Sequence, residues 1–441
     1  MENQGIKYVC VAVLAGTILA ARISPQQKTN KVEQGEARLI LRQVEATIEK
    51  NYYDPTFHGF DLEARFKQAD QKLEEARDLS TGLGIVGWAV EGLNDSHTYF
   101  IPPMRNVAVY SGWQMQAVQD DCYISAVEPS SDAWKQGLRP GDQVLQLESY
   151  QPTRESLPAI NYRLNILYPL AEYQMVVASP GKVARKVKTK SEMVTFAQTT
   201  NSFTGGDSRH QLDRIREGYR LLSKGRTVEL TDKLMIWKLP QFDLTQAEVG
   251  RLVGVARKHQ NLILDLRDNS GGGEEQLKWM ISNFFDHDVT VGEFVERTKS
   301  APLRISSRHD ATFKGRLLIL VNGSSASASE IFARTAQLEK RGTVIGDTTE
   351  GAVGRGQVFP LSQGQSIIIA YGAQVTIARL RLADGSDLEG KGVTPDVMSL
   401  PTPVEMAEGR DPVLAVAAHL AGVEMTAEEA GKLFPAVWAT H

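Results

Sequence analysis

The sequence predicts a multidomain α/β protein with a helical N-terminal part, a β-rich insertion and an α/β core. Three observations indicate this class. The first is the length of the chain, because 441 residues suffice for about two to four domains. Apolar residues recur at helical spacing over residues 32–100, whereas short alternating apolar runs fill residues 112–149. From Leu234 onward, apolar strands alternate with amphipathic helices, which is the pattern of a sheet covered by helices.

Composition and charge exclude some classes of partner. Hydrophobic residues make up 42% of the chain and charged residues 23%, the balance of an ordinary globular protein. The formal net charge is −4 at pH 7. Without a basic excess, neither nucleic acid nor an anionic membrane surface is expected as the main partner.

Residues 1–24 are predicted to be a signal peptide or an uncleaved membrane anchor. The apolar run Tyr8–Ala21 follows Lys7 and ends in small residues, as in a secretory signal. It is shorter than the roughly 20 residues of a membrane span, but few charges precede it, so an anchor remains the alternative. We therefore expect an exported protein, periplasmic or extracellular. Cleavage removes Cys10 and leaves Cys122 alone, which excludes a disulfide framework.

Residues 30–103 are predicted to form a helical domain. Leu41, Val44 and Ile48 are spaced by three and four, which places them on one face of a helix. The prolines at positions 102 and 103 end this unit.

Residues 105–190 are predicted to form a β-rich domain that resembles a PDZ domain. The string GLRPGDQVLQLES closes a helix with glycine, makes a tight turn and enters a strand. The resemblance implies that a peptide C-terminus adds as a strand at a sheet edge. The matching peptide-binding residues are Gly112, Trp113, Gln114 and Met115, which depart from the usual Gly-Leu-Gly-Phe.

The remaining chain is predicted to hold a linker, an α/β core and a helical tail. Residues 191–232 are polar and are assigned to the linker, residues 233–400 to the core and residues 401–441 to the tail. The core pattern begins with the strand LMIWKLPQF and continues with the buried strands LILDL and LLILV, each followed by a helical segment.

Ser327 is predicted to lie where a strand passes into a helix. It follows the apolar strand Leu317–Val321 and a short turn, and the residues after it place an apolar face on a helix. A helix N-terminus has unpaired N–H groups and a positive dipole end, where a serine hydroxyl can attack a carbonyl group while N–H groups bind the oxyanion. Taken alone, this serine-rich stretch favours ordinary N-capping.

Three other segments carry candidate functional residues. Residues 265–273, DLRDNSGGG, end a buried strand in a glycine loop, the edge at which sites form in α/β sheets. LNDSHTYF contains His97, and DGSDLEGKGVTPDV contains Glu389. A single histidine is more often a surface or core residue than a catalytic one.

In this order, these motifs resemble those of the S41 peptidases, which include carboxy-terminal processing (tail-specific) and tricorn-like proteases. The resemblance runs from about residue 35 to the VTPD segment and includes the tail GRDPVLAVAAHLAG. It implies a ClpP/crotonase-like α/β core and a serine endopeptidase that cleaves proteins or peptides. No cofactor is expected, and no metal site either, because the sequence has neither a His-x-x-x-His helix nor paired cysteines.

The resemblance makes Ser327 the nucleophile and leaves Ser325 and Ser329 structural. In the processing branch the base is a lysine 25 residues after the serine, where this chain has Ala352. Arg355 cannot replace it, because a guanidinium does not deprotonate in proteins. The site therefore resembles the tricorn-like branch, which uses a serine–histidine pair and a glutamate.

The matching residues are Ser96, His97 and Glu389. The resemblance implies that His97 takes the proton of the nucleophile and passes it to the leaving amine, while the other two orient the histidine. The oxyanion is expected to bind the N–H groups of Ala328 and of Gly271 or Gly272. Lys391 is a reserve candidate for the base.

Two alternatives to a peptidase remain at this point. The first is a catalytically inactive S41-like scaffold that binds peptides through the PDZ-like domain, and the second is an intact site that binds a hydrophobic ligand. The presence of both His97 and Glu389 favours the peptidase, since a decayed site need not keep both.

Overall fold

The computed structural model describes residues 31–104, 107–195, 225–364 and 369–435. The predicted leader and much of the predicted linker lie outside these residues. Within them the protein has a mixed α/β architecture of several sheets and helices, as predicted. The helices are α1 (Lys31–Asn51), α2 (Leu62–Leu73), α3 (Leu79–Glu91), α4 (Asp132–Lys135), α5 (Leu157–Tyr162), α6 (Gln246–Ala256), α7 (Glu274–Phe284), α8 (Ala328–Leu338), α9 (Pro403–Ala407), α10 (Pro412–Leu420) and α11 (Ala427–Gly431).

A six-stranded sheet forms the centre of the core. Its strands are β9 (Arg226–Thr231), β10 (Leu234–Lys238), β11 (Asn261–Asp265), β14 (Arg316–Val321), β15 (Gly342–Gly346) and β18 (Val397–Met398). Their order in the sheet is β18-β15-β14-β11-β10-β9, and all neighbours are parallel except β9 and β10.

Helices cover both faces of this sheet. Leu317 and Ile319 of β14 point to a core shared with α6, α7 and α8, whereas Leu318 and Leu320 point to a core shared with α10 and α11. The strands read as continuous apolar runs because both faces are buried. Strands β11 and β14 are parallel neighbours, with Asp265 paired to Leu320, so the loops that follow them lie side by side.

A second sheet has five antiparallel strands, β1 (Tyr99–Ile101), β12 (Val289–Glu296), β13 (Ser300–Ile305), β16 (Arg355–Gln363) and β17 (Ile369–Leu382). Four of them lie in the order β1-β17-β12-β13, and the fifth, β16, also pairs with β17. Helices α1 to α3 share one apolar core with β1 and β17. Leu41, Val44 and Ile48 of α1 are buried in it, which confirms the predicted face.

The segment with PDZ-like sequence features forms an antiparallel sheet and an entry hairpin. The strands are β2 (Val107–Tyr110), β3 (Trp113–Val118), β4 (Asp121–Val127), β5 (Gln143–Leu147), β6 (Glu172–Ala178), β7 (Arg185–Lys190) and β8 (Glu192–Thr195). The order in the sheet is β3-β4-β5-β6-β7. The chain enters the sheet through β2 and leaves it through β8, and these two strands pair with each other. The predicted order of helix, tight turn and strand is confirmed by α4 and β5.

The boundaries of the predicted linker are corrected. Residues 191–232 include β8, which belongs to the entry hairpin, and β9, which is the edge strand of the core sheet. No residue of β9 is fully buried. Its apolar residues Val228 and Leu230 alternate with polar ones, a short strand pattern that the assignment to a polar linker overlooked. Among the described residues, no helix combines the length and the apolar character that a membrane crossing needs.

Candidate active site

Ser327 has an unusual backbone conformation at the N-terminus of α8. Its φ is 54° and its ψ is −116°, a left-handed region that costs a residue with a side chain about 1–3 kcal/mol. Its N–H group donates to the carbonyl of Ala352 and to Oε2 of Glu330, each at 2.9 Å. Strained turns between a strand and a helix are where several hydrolases hold a nucleophilic serine.

The neighbouring serines have structural roles, as expected. Ser325 and Ser329 are fully buried, whereas Ser327 is half-buried. The hydroxyl of Ser325 donates to the carbonyl of Leu266 at 2.7 Å, and that of Ser329 donates to the carbonyl of Asn269 at 2.9 Å. These bonds fasten the serine loop to the glycine loop.

Gly271 contacts the candidate nucleophile so closely that a side chain does not fit. Its φ is +94°, and a Cβ atom would lie 2.6 Å from Cβ of Ser327 and 3.0 Å from the nitrogen of Ala328. Its N–H group, however, donates to Oδ1 of Asn269 at 2.8 Å. The expectation that Gly271 donates to an oxyanion is therefore corrected, and Gly272 remains the candidate beside Ala328.

His97 lies in the loop between α3 and β1 and is half-buried. Its Nδ1 is 2.8 Å from Oγ of Ser96. Its ring packs on Gly354, where a Cβ atom would lie 3.5 Å from Nδ1. Gly354 is two residues beyond Ala352, whose carbonyl accepts the N–H group of Ser327. The three-residue segment 352–354 therefore contacts both the candidate nucleophile and the candidate base.

Glu389 joins the same segment to the histidine loop. Its Oε1 accepts the N–H group of Ser96 at 3.0 Å, and its Oε2 accepts that of Val353 at 2.7 Å. Burial raises the pKa of Glu389, while the hydrogen bond from the N–H group of Ser96 lowers it and the charge of Asp95 raises it further.

The other sequence candidates for a base do not fit the role. Ala352 is buried, and its N–H group donates to Oε2 of Glu330 at 2.9 Å. Arg355 forms an ion pair with Glu274 at 2.7 Å and lies over the ring of Phe294. Lys391 is exposed.

Glu330 is a site residue that the sequence analysis missed. It is fully buried and accepts four hydrogen bonds, from the hydroxyl of Thr349 and the N–H groups of Gly351, Ala352 and Ser327. Burial raises the pKa of this carboxyl to about 7, although the hydrogen bonds lower it. A glutamate three residues after a serine is a capping-box pattern, and that signal was present in SSASASE.

The predicted peptide-binding residues lie at one edge of the sheet in residues 113–190. Gly112 has a φ of +70° and directly precedes β3, which holds Trp113, Gln114 and Met115. Strand β3 is the outer strand of that sheet. Trp113 is mostly buried and packs edge-to-face on Tyr173, with ring centroids 5.5 Å apart.

Comparison with known proteins decides the family. Residues 234–399 match the profile described as "Peptidase family S41". A probable CtpA-like serine protease of Staphylococcus epidermidis is 32% identical over 400 residues, which cover 88% of this chain and 70% of that protein. The chain belongs to peptidase family S41. It is therefore a member of a family of serine-type peptidases.

Two further comparisons show how far the similarity extends. This chain is 27% identical over 331 residues to the tail-specific protease of Haemophilus influenzae. The match covers 69% of this chain but only 43% of that protein. The chain thus spans less than half the length of that relative. The crystal structure of mature CPAF superposes with a TM-score of 0.63 at 15% identity, over 85% of this chain and 94% of that one, which shows a shared fold.

Proposed function

We propose that this S41 protein is a serine endopeptidase in which Ser327 is the nucleophile and His97 the general base. The observation that carries the proposal is the contact of segment 352–354 with both residues. The carbonyl of Ala352 accepts the N–H group of Ser327 at 2.9 Å, and Gly354 lies against the ring of His97. This arrangement resembles the serine–histidine–glutamate site of the tricorn-like branch rather than a serine–lysine dyad.

The hydrogen bonds around His97 support its role as a base. Oγ of Ser96 lies 2.8 Å from Nδ1 of His97, and the N–H group of Ser96 donates to the carboxylate of Glu389 at 3.0 Å. We place the proton of the neutral ring on Nδ1, where the hydroxyl oxygen of Ser96 accepts it, and this leaves Nε2 as the basic nitrogen. Histidine is the side chain most often used as a general base, because the unperturbed imidazole titrates near neutral pH.

The reaction then follows the general pattern of serine hydrolysis. Nε2 of His97 takes the hydroxyl proton as Oγ of Ser327 bonds to the peptide carbonyl carbon, and it gives this proton to the leaving amine. Water releases the acyl group by the same two steps. The N–H groups of Ala328 and Gly272 bind the oxyanion, and loss of one such donor costs about 10²–10³ in rate.

The strand edge at β3 is proposed as the place where substrate peptides add to the PDZ-like region. It is an outer strand, and Gly112 directly before it supplies the turn. Peptide added there would make main-chain hydrogen bonds to β3. Because residues 1–24 are predicted to be a signal peptide or an anchor, we propose an exported peptidase that acts on unfolded chains or chain ends.

Labelling with a biotinylated fluorophosphonate tests the proposal. We expect the wild type to be labelled and Ser327→Ala to be unlabelled, because the probe bonds only to an activated serine. His97→Ala should be labelled at least about 100-fold more slowly, in line with the typical contribution of a general base. Ser324→Ala is the matched control, since it removes a half-buried hydroxyl from the same loop. Equal labelling of wild type and Ser327→Ala would contradict the proposed nucleophile, and equal labelling of wild type and His97→Ala would contradict the proposed base.

A further inference from the structure

The carboxylate of Asp95 lies at the base of the loop that carries Ser96 and His97. Its Oδ1 accepts the N–H group of His97 at 3.1 Å and a hydrogen bond from the hydroxyl of Thr376. Its Oδ2 accepts the hydroxyl of Tyr52 at 2.9 Å. Three parts of the chain therefore meet at one side chain: the end of α1, the histidine loop and β17.

Tyr52 holds its hydroxyl in a fixed place. The side chain is fully buried, and its ring stacks on Phe57 with centroids 5.7 Å apart. Burial, followed by the nearby charge of Asp95, raises the pKa of Tyr52 well above its usual value. The hydroxyl accordingly stays protonated and donates to the carboxylate at all ordinary pH values.

Thr376 fixes the other side of Asp95. It is buried in β17, and its N–H group donates to the hydroxyl of Thr98 at 3.0 Å. Its carbonyl accepts the N–H group of Tyr53 at 3.0 Å. The side chains of Asp95 and Thr98, on either side of His97, thus bond to the same strand residue.

An ordinary turn does not account for this arrangement. A turn stabilised by an aspartate side chain needs only one oxygen, bonded to the N–H group two residues on. Here the second oxygen accepts a hydrogen bond from Tyr52, about forty residues earlier in the sequence. Removing a carboxylate from water is costly unless both of its oxygens are hydrogen-bonded. The extra bonds set where the loop lies relative to the sheet, and hence where the imidazole lies.

We propose that Asp95 is a positioning residue for the peptidase reaction, and that Tyr52 and Thr376 hold it so that the ring of His97 faces Ser327. The inference rests on the proposed function, because it concerns the placement of the proposed base. Asp95 acts through the backbone of His97 and contacts no reacting atom. Tyr52, at the end of α1, thereby contributes to the geometry of a site whose proposed nucleophile lies in the α/β core.

Kinetic measurements on four variants test this role. The variants are Asp95→Ala, Asp95→Asn, Tyr52→Phe and, as a matched control, Tyr371→Phe. Tyr371 belongs to the same apolar core as Tyr52, and its hydroxyl donates to Oε1 of Gln43 at 2.6 Å, away from the histidine loop. Hydrolysis of fluorescein-labelled casein gives kcat and KM, and thermal unfolding of each variant is followed in parallel.

We expect Asp95→Ala to lower kcat by about 10–100-fold and to change KM by less than about 2-fold. The physical reason is that a catalytic group misplaced by about 1 Å can lower the rate by about 100-fold. Asp95→Asn should recover most of this loss, because the amide oxygen still accepts the N–H group of His97. Tyr52→Phe should lower kcat by about 3–10-fold. Tyr371→Phe should leave kcat within about 2-fold, even where its unfolding temperature falls as far as that of Tyr52→Phe.

The outcomes separate this inference from the proposed function. If His97→Ala hydrolyses casein as fast as the wild type, the proposed function fails. If His97→Ala is inactive but Asp95→Ala and Tyr52→Phe match Tyr371→Phe in kcat, Asp95 is merely structural and the inference is overturned. It is also overturned if Asp95→Asn recovers nothing over Asp95→Ala. Should Asp95→Ala not fold, Tyr52→Phe alone decides the question by the same comparison.

Discussion

Replacing Gly271 with alanine should nearly abolish the reactivity of Ser327. The added Cβ atom would lie 2.6 Å from Cβ of Ser327, whereas ordinary contact begins at 3.4 Å, so the two loops must separate by about 0.8 Å. A displacement close to 1 Å at a reacting group lowers the rate by about 100-fold. The φ of +94° adds strain of about 1–2 kcal/mol for a residue with a Cβ atom, which should lower the stability of the fold.

The assay for Gly271→Ala is the second-order rate constant of fluorophosphonate labelling, with thermal unfolding measured on the same samples. Gly254→Ala is the control, because Gly254 lies in α6 and a Cβ atom there has nothing within 4 Å. An exposed helical glycine replaced by alanine gains about 0.5–1 kcal/mol, so this variant should be more stable and equally reactive. A labelling rate for Gly271→Ala within about 3-fold of the wild type would refute the reasoning.

Two other variants test the buried charges near the site. Burial raises the pKa of Glu330 from its ordinary value of 4.5 to about 7, so the folded state holds this proton more tightly than the unfolded state does. The free energy of unfolding therefore falls by roughly 3 kcal/mol as the pH rises from 4.5 to 7. Glu330→Gln should lack this part of the slope in urea titrations between pH 5 and 8, and equal slopes in the two proteins would contradict the assignment. Arg267 bridges the buried Asp265 and the carboxylate of Asp411 at 2.7 and 2.8 Å, so Arg267→Ala should cost about 3–5 kcal/mol of stability by leaving a buried charge unpaired. A loss under 1 kcal/mol in the same titrations would show that the pair is not needed.

Local patterns were sufficient to place Ser327 at the junction between a strand and a helix. The apolar strand Leu317–Val321 and the helical face that follows Ser327 are short-range signals, and the structure has β14 and α8 at these positions. The glycine loop after β11 was recognised for the same reason. Which N–H group of that loop is available was not predictable, because the amide of Gly271 is taken by the side chain of Asn269, a contact that no sequence period encodes.

Long-range pairing was the part that sequence reasoning did not supply. The spacing of residues does not place His97 next to Gly354, since that contact depends on β1 pairing with β17, as Tyr99 pairs with Gln374. The expectation about His97 came from the resemblance of its motif to a family. The edge strand β9 was missed because it buries no side chain fully, and its alternation of apolar and polar residues rests on only Val228 and Leu230.

The pairing of β1 with β17 also has a consequence for biosynthesis. Strand β1 is made early, but it gains its partner only after the ribosome has completed β17, and Glu389 follows later still. Such distant pairings form slowly compared with local helices. On the proposed mechanism, Ser327 and His97 are both synthesised before the residues that hold them, so the site is complete only after the loop of Glu389 has left the ribosome.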